Sequence, residues 1–297
     1  MDKKKLILHV GLPKTGSTAL QMYLNLNREL IASRDFSYPK EKTKKGIPKH
    51  QSLVRGLNSN NHTNLKNYLQ NNSKNNLILS TEGLTNHLYD FSFESVLEFK
   101  NILNTYELTI IIVTREFDNW LKSYYAQSVI NPRIKLSYNA TALEINEFSK
   151  HPRIQQLGNI NQVIKDLKLK FGATTVIRLK YSKNLVKDFC NTIRIPYIHG
   201  KIDRVNESPK PWTIELMRQI NGFETSENER SMWRSVIQEF SLSNHSLMQD
   251  SLNTNQNEKK LSQTVFDSLV YKHSELYGLK KKKLEEFKKF IYLKNYL

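Results

Sequence analysis

The chain begins with a short apolar run, a loop that contains two glycines, and a stretch with helical periodicity. Residues 6–10, Leu-Ile-Leu-His-Val, predict a buried strand. Gly11 and Gly16 stand in the loop, and the apolar residues after it recur at the spacing of a buried helix face: Leu20, Tyr23, Leu24, Leu30 and Ile31. This order is typical of a phosphate-binding cradle, because loop N–H groups can turn inward and the helix N-terminus adds partial positive charge.

The residues inside this loop differ from those of nucleoside triphosphatases. In those proteins a lysine follows the second glycine directly and contacts the β- and γ-phosphates. Here Gly11 and Gly16 keep the spacing, but Ser17 occupies the lysine position and the lysine stands inside the loop as Lys14. A row of hydroxyls accompanies it: Thr15, Ser17 and Thr18. This set suits a compact anion that has no γ-phosphate to bridge through a metal.

Residues 11–18, Gly-Leu-Pro-Lys-Thr-Gly-Ser-Thr, resemble the 5′-phosphosulfate loop of sulfotransferases, whose donor is 3′-phosphoadenosine-5′-phosphosulfate (PAPS). The resemblance implies a catalytic Lys14 that neutralises the leaving phosphate oxygen. It further implies that the donor is bound by the loop residues Pro13, Lys14, Thr15, Gly16, Ser17 and Thr18. The alternatives are an ordinary strand–turn–helix unit and a kinase-type loop.

A second motif follows the strongest strand pattern of the chain, Leu-Thr-Ile-Ile-Ile-Val at residues 108–113. Arg115 comes directly after this run, where open α/β sheets bind ligands, and Ser123 follows eight residues later. A guanidinium fork and a hydroxyl can hold a dianionic phosphate. The spacing, with Tyr124-Tyr125 after it, is similar to the sulfotransferase clamp for the 3′-phosphate of the donor. The alternative is a helix-capping arginine with a surface serine.

Further strand patterns at residues 77–80 and 174–179 alternate with helical ones. The alternation over residues 5–195 predicts a mainly parallel sheet with helices on both faces. Residues 212–240 and 262–293 are predicted to be helical, with a polar loop over 241–263. We therefore expect an α/β fold: a P-loop-like central parallel sheet flanked by helices, with a helical C-terminal extension. The expected division is a PAPS-binding core at 1–205 and a helical region at 206–297 packed on it, the two together forming one structural domain.

Transfer to an acceptor hydroxyl needs a general base, and Glu82 is the first candidate. It follows the strand at 77–80, so it should emerge at the same sheet edge as Lys14. A glutamate at this position resembles the base of several glycan and tyrosine sulfotransferases. Other members use histidine, which keeps His87 as a second candidate and His50 as a third. The alternative for Glu82 is an ion pair with Lys14 or Arg115 that only organises the site.

The segment Asn206-Glu207-Ser208-Pro209 is similar to an Asn-x-Ser element of bacterial sulfotransferases. The resemblance implies that Asn206 and Ser208 contact the donor nucleotide. The alternative is a helix N-cap, with Ser208 placed before Pro209 at the first helical position.

The net charge of +17 predicts an anionic partner, such as a nucleotide, an acidic glycan, a nucleic acid or a membrane surface. The stripe of lysines at 280–283 makes peripheral membrane contact one possibility, although packing on the protein itself is favoured. No motif for specific nucleic-acid recognition is present.

Cys190, the single cysteine, excludes an intrachain disulfide and is expected to be a buried, inert thiol. The apolar run after Lys3-Lys4-Lys5 is too short for a signal peptide, so we expect a cytoplasmic protein.

These observations favour a PAPS-dependent sulfotransferase that acts on a hydroxyl of a carbohydrate, with PAP as product and without a metal. The carbohydrate preference comes from the resemblance and from the basic composition. The alternatives are a metal-dependent P-loop kinase and a basic nucleic-acid-binding protein. The displaced lysine argues against the kinase.

Overall fold

The computed structural model describes residues 3–41, 48–132, 139–198, 209–223, 226–243 and 256–278, together with residues 285 and 288. The chain forms two compact units. The first comprises Met1–Leu121 and Lys150–Glu207, and the second comprises Lys122–Ser149 and Ser208–Leu297.

The first unit alternates strands and helices. Its elements up to residue 121 are β1 (Lys4–His9), α1 (Ser17–Leu26), α2 (Arg28–Ala32), β2 (Phe36–Ser37), α3 (Gln51–Ser59), α4 (Thr63–Asn71), β3 (Asn76–Ser80), α5 (Gly83–Asn86), α6 (Phe93–Leu103), β4 (Tyr106–Thr114) and the beginning of α7 (Phe117–Ile130). The chain then passes through α8 (Ile145–Ser149), which belongs to the second unit. It returns to the first unit with α9 (Pro152–Gly158), α10 (Ile160–Phe171), β5 (Thr175–Lys180) and α11 (Leu185–Ile193). The second unit holds the rest of α7, α8, α12 (Pro211–Gly222), α13 (Glu227–Ser243) and α14 (Gln256–Tyr277).

The strands form one sheet in the order β2-β3-β1-β4-β5, and every pair in it is parallel. Leu6 of the central strand is in register with Leu77 of β3 and with Leu108 of β4. All the strands therefore end at one edge. From β1 the chain proceeds to β2 and β3 on one side, and it then crosses to β4 and β5 on the other. Such a reversal opens a crevice at the carboxyl ends of the strands beside β1 and β4.

Successive side chains of each strand enter two different cores, because strand residues alternate between the faces of a sheet. Leu6 and Leu8 pack with buried residues of α3, α4, α6 and α10. Ile7 packs on the opposite face with Leu20 of α1 and Phe189 of α11. A strand that is covered on both faces reads as a continuous apolar run, which explains the sequence of β4.

The second unit has an aromatic core on its own helices. Trp233 of α13 stacks on Phe266 of α14 with 6.4 Å between ring centroids. Phe240 meets the same Phe266 ring edge-on at 5.3 Å and the Trp212 ring of α12 at 5.8 Å. Buried aromatic pairs in these arrangements hold the three helices together.

The expected α/β class is confirmed: a parallel sheet has helices on both faces, and the described part of the C-terminal region is helical. The four strands expected from the sequence are confirmed as β1, β3, β4 and β5. The short strand β2, of two residues, was not expected from the sequence. The expected boundary between a core at 1–205 and a helical region at 206–297 stays a prediction.

Several helix boundaries were wrong. The helical face over residues 20–31 belongs to two helices, because the chain turns at Asn27 between α1 and α2. The helix expected over 212–240 is likewise divided, into α12 and α13. The loop expected over 241–263 is too long, because α14 begins at Gln256. That helix ends at Tyr277, where Gly278 adopts a left-handed conformation with φ 63°.

Two expectations concern residues that the structure does not describe. The lysine stripe at 280–283 lies outside the described residues, as do Asn206 and Ser208. The helix after them begins at Pro211 with Lys210 as its N-cap, so the proposed cap at Ser208 is wrong. Among the described residues, no helix has the length and apolarity needed to cross a membrane.

Cys190 lies on the buried face of α11 and has no solvent exposure, as expected. Burial raises the pKa of its thiol to about 11. We expect the native protein at neutral pH to react with a thiol reagent such as DTNB roughly a hundredfold more slowly than the unfolded chain, because only the thiolate is the nucleophile. One thiol per chain should become reactive in guanidinium chloride. Stoichiometric labelling of the folded protein, at the rate of a small-molecule thiol, would contradict the burial of Cys190.

Candidate functional site

The glycine loop continues the ladder of β1 beyond the end of the strand. The N–H of Val10 donates to the Ile111 carbonyl at 3.0 Å, and the N–H of Leu12 donates to the Val113 carbonyl at 3.0 Å. The first part of the loop therefore runs along β4 towards Arg115, which directly follows that strand.

Side chains hold carbonyl groups of the loop and of the residue before it. The Trp120 indole donates to the Pro13 carbonyl at 3.1 Å, and the Thr85 hydroxyl donates to the Val10 carbonyl. The Thr15 hydroxyl donates to the Leu12 carbonyl at 2.6 Å. The backbone N–H groups that follow along the chain, those of residues 16–18, lie at the start of α1. In the described part of the chain, the N–H groups of Gly16, Ser17 and Thr18 form no backbone hydrogen bond. The loop thus presents donors to an anion.

Two residues of the loop have left-handed backbone. Gly16 has a φ of 82°, which a glycine adopts readily, and Lys14 has a φ of 67°, which costs a residue with a Cβ of order 1–3 kcal/mol. Such residues within a turn direct successive N–H groups to the same side and create a concave anion site. The side chain of Lys14 is exposed to solvent at this point.

Lys14 and Arg115 lie close together at the crevice. Desolvation by the surrounding loop lowers the pKa of Lys14, and repulsion by the Arg115 guanidinium lowers it further. Tyr181, which follows β5, connects the two motifs: its ring lies 5.0 Å from the Arg115 guanidinium carbon, and a Cβ on Gly16 would lie 3.0 Å from it. Two neighbouring cations beside a loop of N–H donors attract a polyanion strongly.

Glu82 lies at the carboxyl end of β3, as expected, but its ion-pair partner differs from both that the sequence suggested. Its carboxylate contacts the Lys49 ammonium at 2.7 Å and accepts from the Gln21 amide of α1 at 3.1 Å. Burial raises the pKa of this carboxyl, but the charge of Lys49 and the hydrogen bonds outweigh burial and lower it below the usual value. Glu82 is therefore a carboxylate at neutral pH, joined through Gln21 to the helix that begins at the loop.

The two candidate histidines have other roles in the described contacts. His87 pairs with Asp90 at 3.0 Å and packs near Phe91, and neither residue belongs to the loop. His50 is buried, with its Nε2 3.1 Å from the Pro39 carbonyl and its Nδ1 accepting from the Ser80 N–H at 3.0 Å. Burial lowers the pKa of His50 to about 4. His50 ties the segment before α3 to the end of β3 and is structural.

Ser123 is the seventh residue of α7, in the part of that helix that belongs to the second unit, and it is half-buried. Its pairing with Arg115 on a 3′-phosphate stays a prediction. The contacts of Asn206 and Ser208 with a nucleotide stay predictions as well.

Sequence reasoning missed four residues that shape the site: His9, Gln21, Lys49 and Tyr181. His9 carried a signal, since it is the one polar residue in the apolar run over residues 6–10. The other three residues carried no signal in the sequence, because each belongs to a different element and no local pattern joins them.

A cleft of about 530 Å³ lies between α3, α4 and the segment before residue 42. Amide, tyrosine and charged side chains line it, including Arg55, Asn64, Asn67 and Tyr68. Tyr68 meets the His50 ring edge-on at 5.2 Å, and His50 contacts Ser80 two residues before Glu82. The cleft is therefore on the Glu82 side of the first unit and has a polar lining.

Comparison with known proteins finds no family model that matches the chain and no match among curated proteins. The case for a function therefore depends on the geometry of the site.

Replacing Lys49 with Met should raise the pKa of Glu82, because burial would remain while the compensating charge and hydrogen bond are lost. In the wild type, the lowered pKa stabilises the fold above the usual carboxyl pKa, and this contribution is lost as the pH falls through the folded-state value. Carbon-13 NMR titration of the carboxyl groups measures the change, with Glu82→Gln to assign the signal. Lys66→Met is the matched control, since it breaks the exposed pair with Glu98 and should leave Glu82 unchanged. An unaltered Glu82 titration in Lys49→Met would contradict the pairing.

Proposed function

We propose that this protein is a PAPS-dependent sulfotransferase of P-loop-like fold that transfers a sulfuryl group to a hydroxyl of a glycan. The observation that carries the proposal is the convergence of three features at one sheet edge. These are the N–H groups that begin α1, the Lys14 side chain in the loop, and Arg115 at the end of the adjacent strand. A donor with charged groups at its 5′ and 3′ positions needs two such anion sites.

The loop geometry favours a sulfotransferase over a triphosphate-dependent kinase. The position after Gly16, where a kinase loop has its phosphate-binding lysine, holds the buried hydroxyl of Ser17. The lysine of this loop lies three residues earlier, in the left-handed turn at Lys14. Its ammonium is suited to the oxygen that bridges sulfur and phosphorus in the donor.

Each residue has a defined role in this proposal. The N–H groups of Gly16, Ser17 and Thr18 would bind the 5′-phosphate, and Arg115 with Ser123 would bind the 3′-phosphate. The donor supplies an activated sulfuryl group. The acceptor oxygen forms a bond to sulfur while the bond from sulfur to the 5′-phosphate oxygen breaks. Lys14 stabilises the negative charge that develops on that phosphate oxygen.

The proton of the acceptor hydroxyl would pass to Glu82. This carboxylate is ionised at neutral pH, and Gln21 joins it to the helix of the loop. Lys49 makes Glu82 a weaker base but keeps its charge compatible with burial. His87 is the weaker candidate, because its described contacts are with Asp90 and Phe91.

The polar cleft beside α3 and α4 supports a carbohydrate acceptor. Asparagine amides can pair with sugar hydroxyls, whereas Arg55 is already paired with Glu41 of the same lining at 3.1 Å. The preference for an acidic glycan therefore comes from the net charge of +17.

The direct test is incubation with PAPS that carries ³⁵S-sulfate, together with a panel of neutral and acidic glycans. We expect label on the glycan and PAP as the second product, with activity retained in EDTA. Transfer from ATP that depends on Mg²⁺, without transfer from PAPS, would favour the kinase instead. Salt-sensitive binding to random DNA, without affinity for PAP, would favour a nucleic-acid-binding protein.

The Lys14→Ala variant should lower kcat by about a hundredfold or more, as the loss of a transition-state charge contact does. Lys74→Ala is the matched control, because Lys74 is exposed and lies before β3, at the opposite edge of the sheet. The control should keep full activity. A Lys14→Ala enzyme within a few-fold of the wild type would remove Lys14 from the mechanism.

A site with one anion-binding place at the loop and a second at Arg115 should strongly prefer adenosine 3′,5′-bisphosphate over adenosine 5′-monophosphate. The contacts to the 3′-phosphate should contribute roughly 2–5 kcal/mol of binding free energy. Calorimetry with both nucleotides measures the preference, which Arg115→Ala should abolish. Arg34→Ala, which removes an exposed arginine before β2, should preserve it. Equal affinity of the wild type for the two nucleotides would reject the role of Arg115.

A further inference from the structure

His9 lies beneath the glycine loop and has no solvent exposure. It is the last residue of β1, in register with Ser80 of β3, and its Nδ1 is 2.8 Å from the Ser80 hydroxyl. Its ring packs edge-on against Phe189 of α11, with 5.8 Å between centroids. The other ring nitrogen, Nε2, is buried and has no hydrogen-bond partner in the described part of the chain.

A second unpartnered polar atom borders the same place. A Cβ on Gly11 would lie 3.1 Å from His9 Nε2 and 3.0 Å from Ser17 Oγ, so both atoms face the space beside this glycine. The Ser17 hydroxyl is buried and, like His9 Nε2, has no partner among the described residues. The Thr15 hydroxyl is equally near but donates to the Leu12 carbonyl. Since buried polar groups are nearly always hydrogen-bonded, two unpartnered ones under an anion loop point to a ligand atom.

The hydrogen bonds around Ser80 indicate where the His9 proton lies. The Gln21 amide nitrogen can only donate, and it donates to the Ser80 hydroxyl at 3.1 Å. The single proton of Ser80 can then go to His9 Nδ1, which leaves the ring proton on Nε2. If Ser80 instead donated towards the nearby Tyr38 hydroxyl, His9 would carry its proton on Nδ1 and Nε2 would be an acceptor.

We propose that His9 is an anion-binding residue of the loop, which donates from Nε2 to the same ligand oxygen that accepts the proton of the Ser17 hydroxyl. The inference rests on the proposed function insofar as the ligand is the 5′-phosphosulfate of PAPS. The pair of donors is suited to any sulfate or phosphate oxygen. Burial lowers the pKa of His9 to about 4, against a smaller raising effect of Glu82. The ring is therefore a neutral donor and adds no repulsion to the neighbouring Lys14 and Arg115.

The tautomer is tested on the wild-type protein by nitrogen-15 NMR of the histidine rings, with His9→Asn to assign the signal. We expect the proton of His9 on Nε2 without ligand, and a change in the Nε2 signal when pyrophosphate or adenosine 3′,5′-bisphosphate is added. A proton on Nδ1 with an unprotonated Nε2 would overturn the proposal, whatever the ligand proves to be.

Two variants separate the two ring nitrogens in a binding experiment. The amide of His9→Asn can replace Nδ1 towards Ser80 but loses the donor at Nε2, whereas His9→Gln can place an amide nitrogen near the position of Nε2. We expect His9→Asn to weaken binding of both pyrophosphate and adenosine 3′,5′-bisphosphate by roughly tenfold, and His9→Gln to remain within a few-fold of the wild type. Ser17→Ala should weaken binding similarly, and the double variant should be non-additive if both residues share one oxygen.

The control is His62→Asn, because His62 is also a buried histidine that contacts a serine hydroxyl, at 3.2 Å from Ser95, on the other face of the sheet. It should leave both affinities unchanged. Wild-type affinity in a folded His9→Asn protein would overturn the role of His9. Should that variant fail to fold, His9→Gln, Ser17→Ala and the wild-type NMR measurement decide the question.

The two probes distinguish this inference from the proposed function. If the wild type binds pyrophosphate with the expected dependence on His9, but neither prefers adenosine 3′,5′-bisphosphate nor transfers sulfate, the proposed function fails and the His9 inference stands. If the protein transfers sulfate and His9→Asn binds both probes normally, the inference fails and the function stands. If the wild type binds neither probe, both fail.

Discussion

The parallel pairing of β1 with β3 on one side and β4 on the other is the constraint on which the site depends. It brings three chain segments to one sheet edge: the glycine loop, the Glu82 turn and the Arg115 turn. It also places His9 directly beside Ser80. Without this register, the candidate anion-binding residues and the candidate base would not lie at the same sheet edge.

The loop backbone is held in place on one side, which leaves the N–H groups at the start of α1 for the proposed anion. Trp120, Thr85 and the ladder to β4 engage its carbonyls and N–H groups at residues 10–13. These contacts offset the conformational cost of the left-handed turn at Lys14. Strain held in this way at a ligand site is a form of preorganisation, because the donors need not be gathered when the anion arrives.

The three cations of the candidate site, Lys14, Arg115 and Lys49, act on different groups. Lys14 and Arg115 lie near each other, and an anion bound beside both would relieve their mutual repulsion. Lys49 instead neutralises Glu82, so a carboxylate can remain ionised close to the proposed anion site. The pair Lys49–Glu82 and the link through Gln21 to α1 explain how a base and an anion loop can coexist in one small region.

The sequence by itself determined the class of the fold and identified the loop of the proposed anion site. Apolar runs at β1, β3 and β4, separated by helical patterns, require a buried parallel sheet, and the positions of Gly11, Lys14 and Gly16 are local to one turn. Residues that act through short-range backbone geometry can be recognised in this way. Only the tertiary structure decided the rest. The partner of Glu82 is Lys49 rather than Lys14 or Arg115, and His50 is a structural residue. The Nε2 of His9, which has no partner among the described residues, faces Ser17 beneath the loop. These pairings join residues from different strands and helices, so they depend on packing and register, which no local pattern in the sequence encodes.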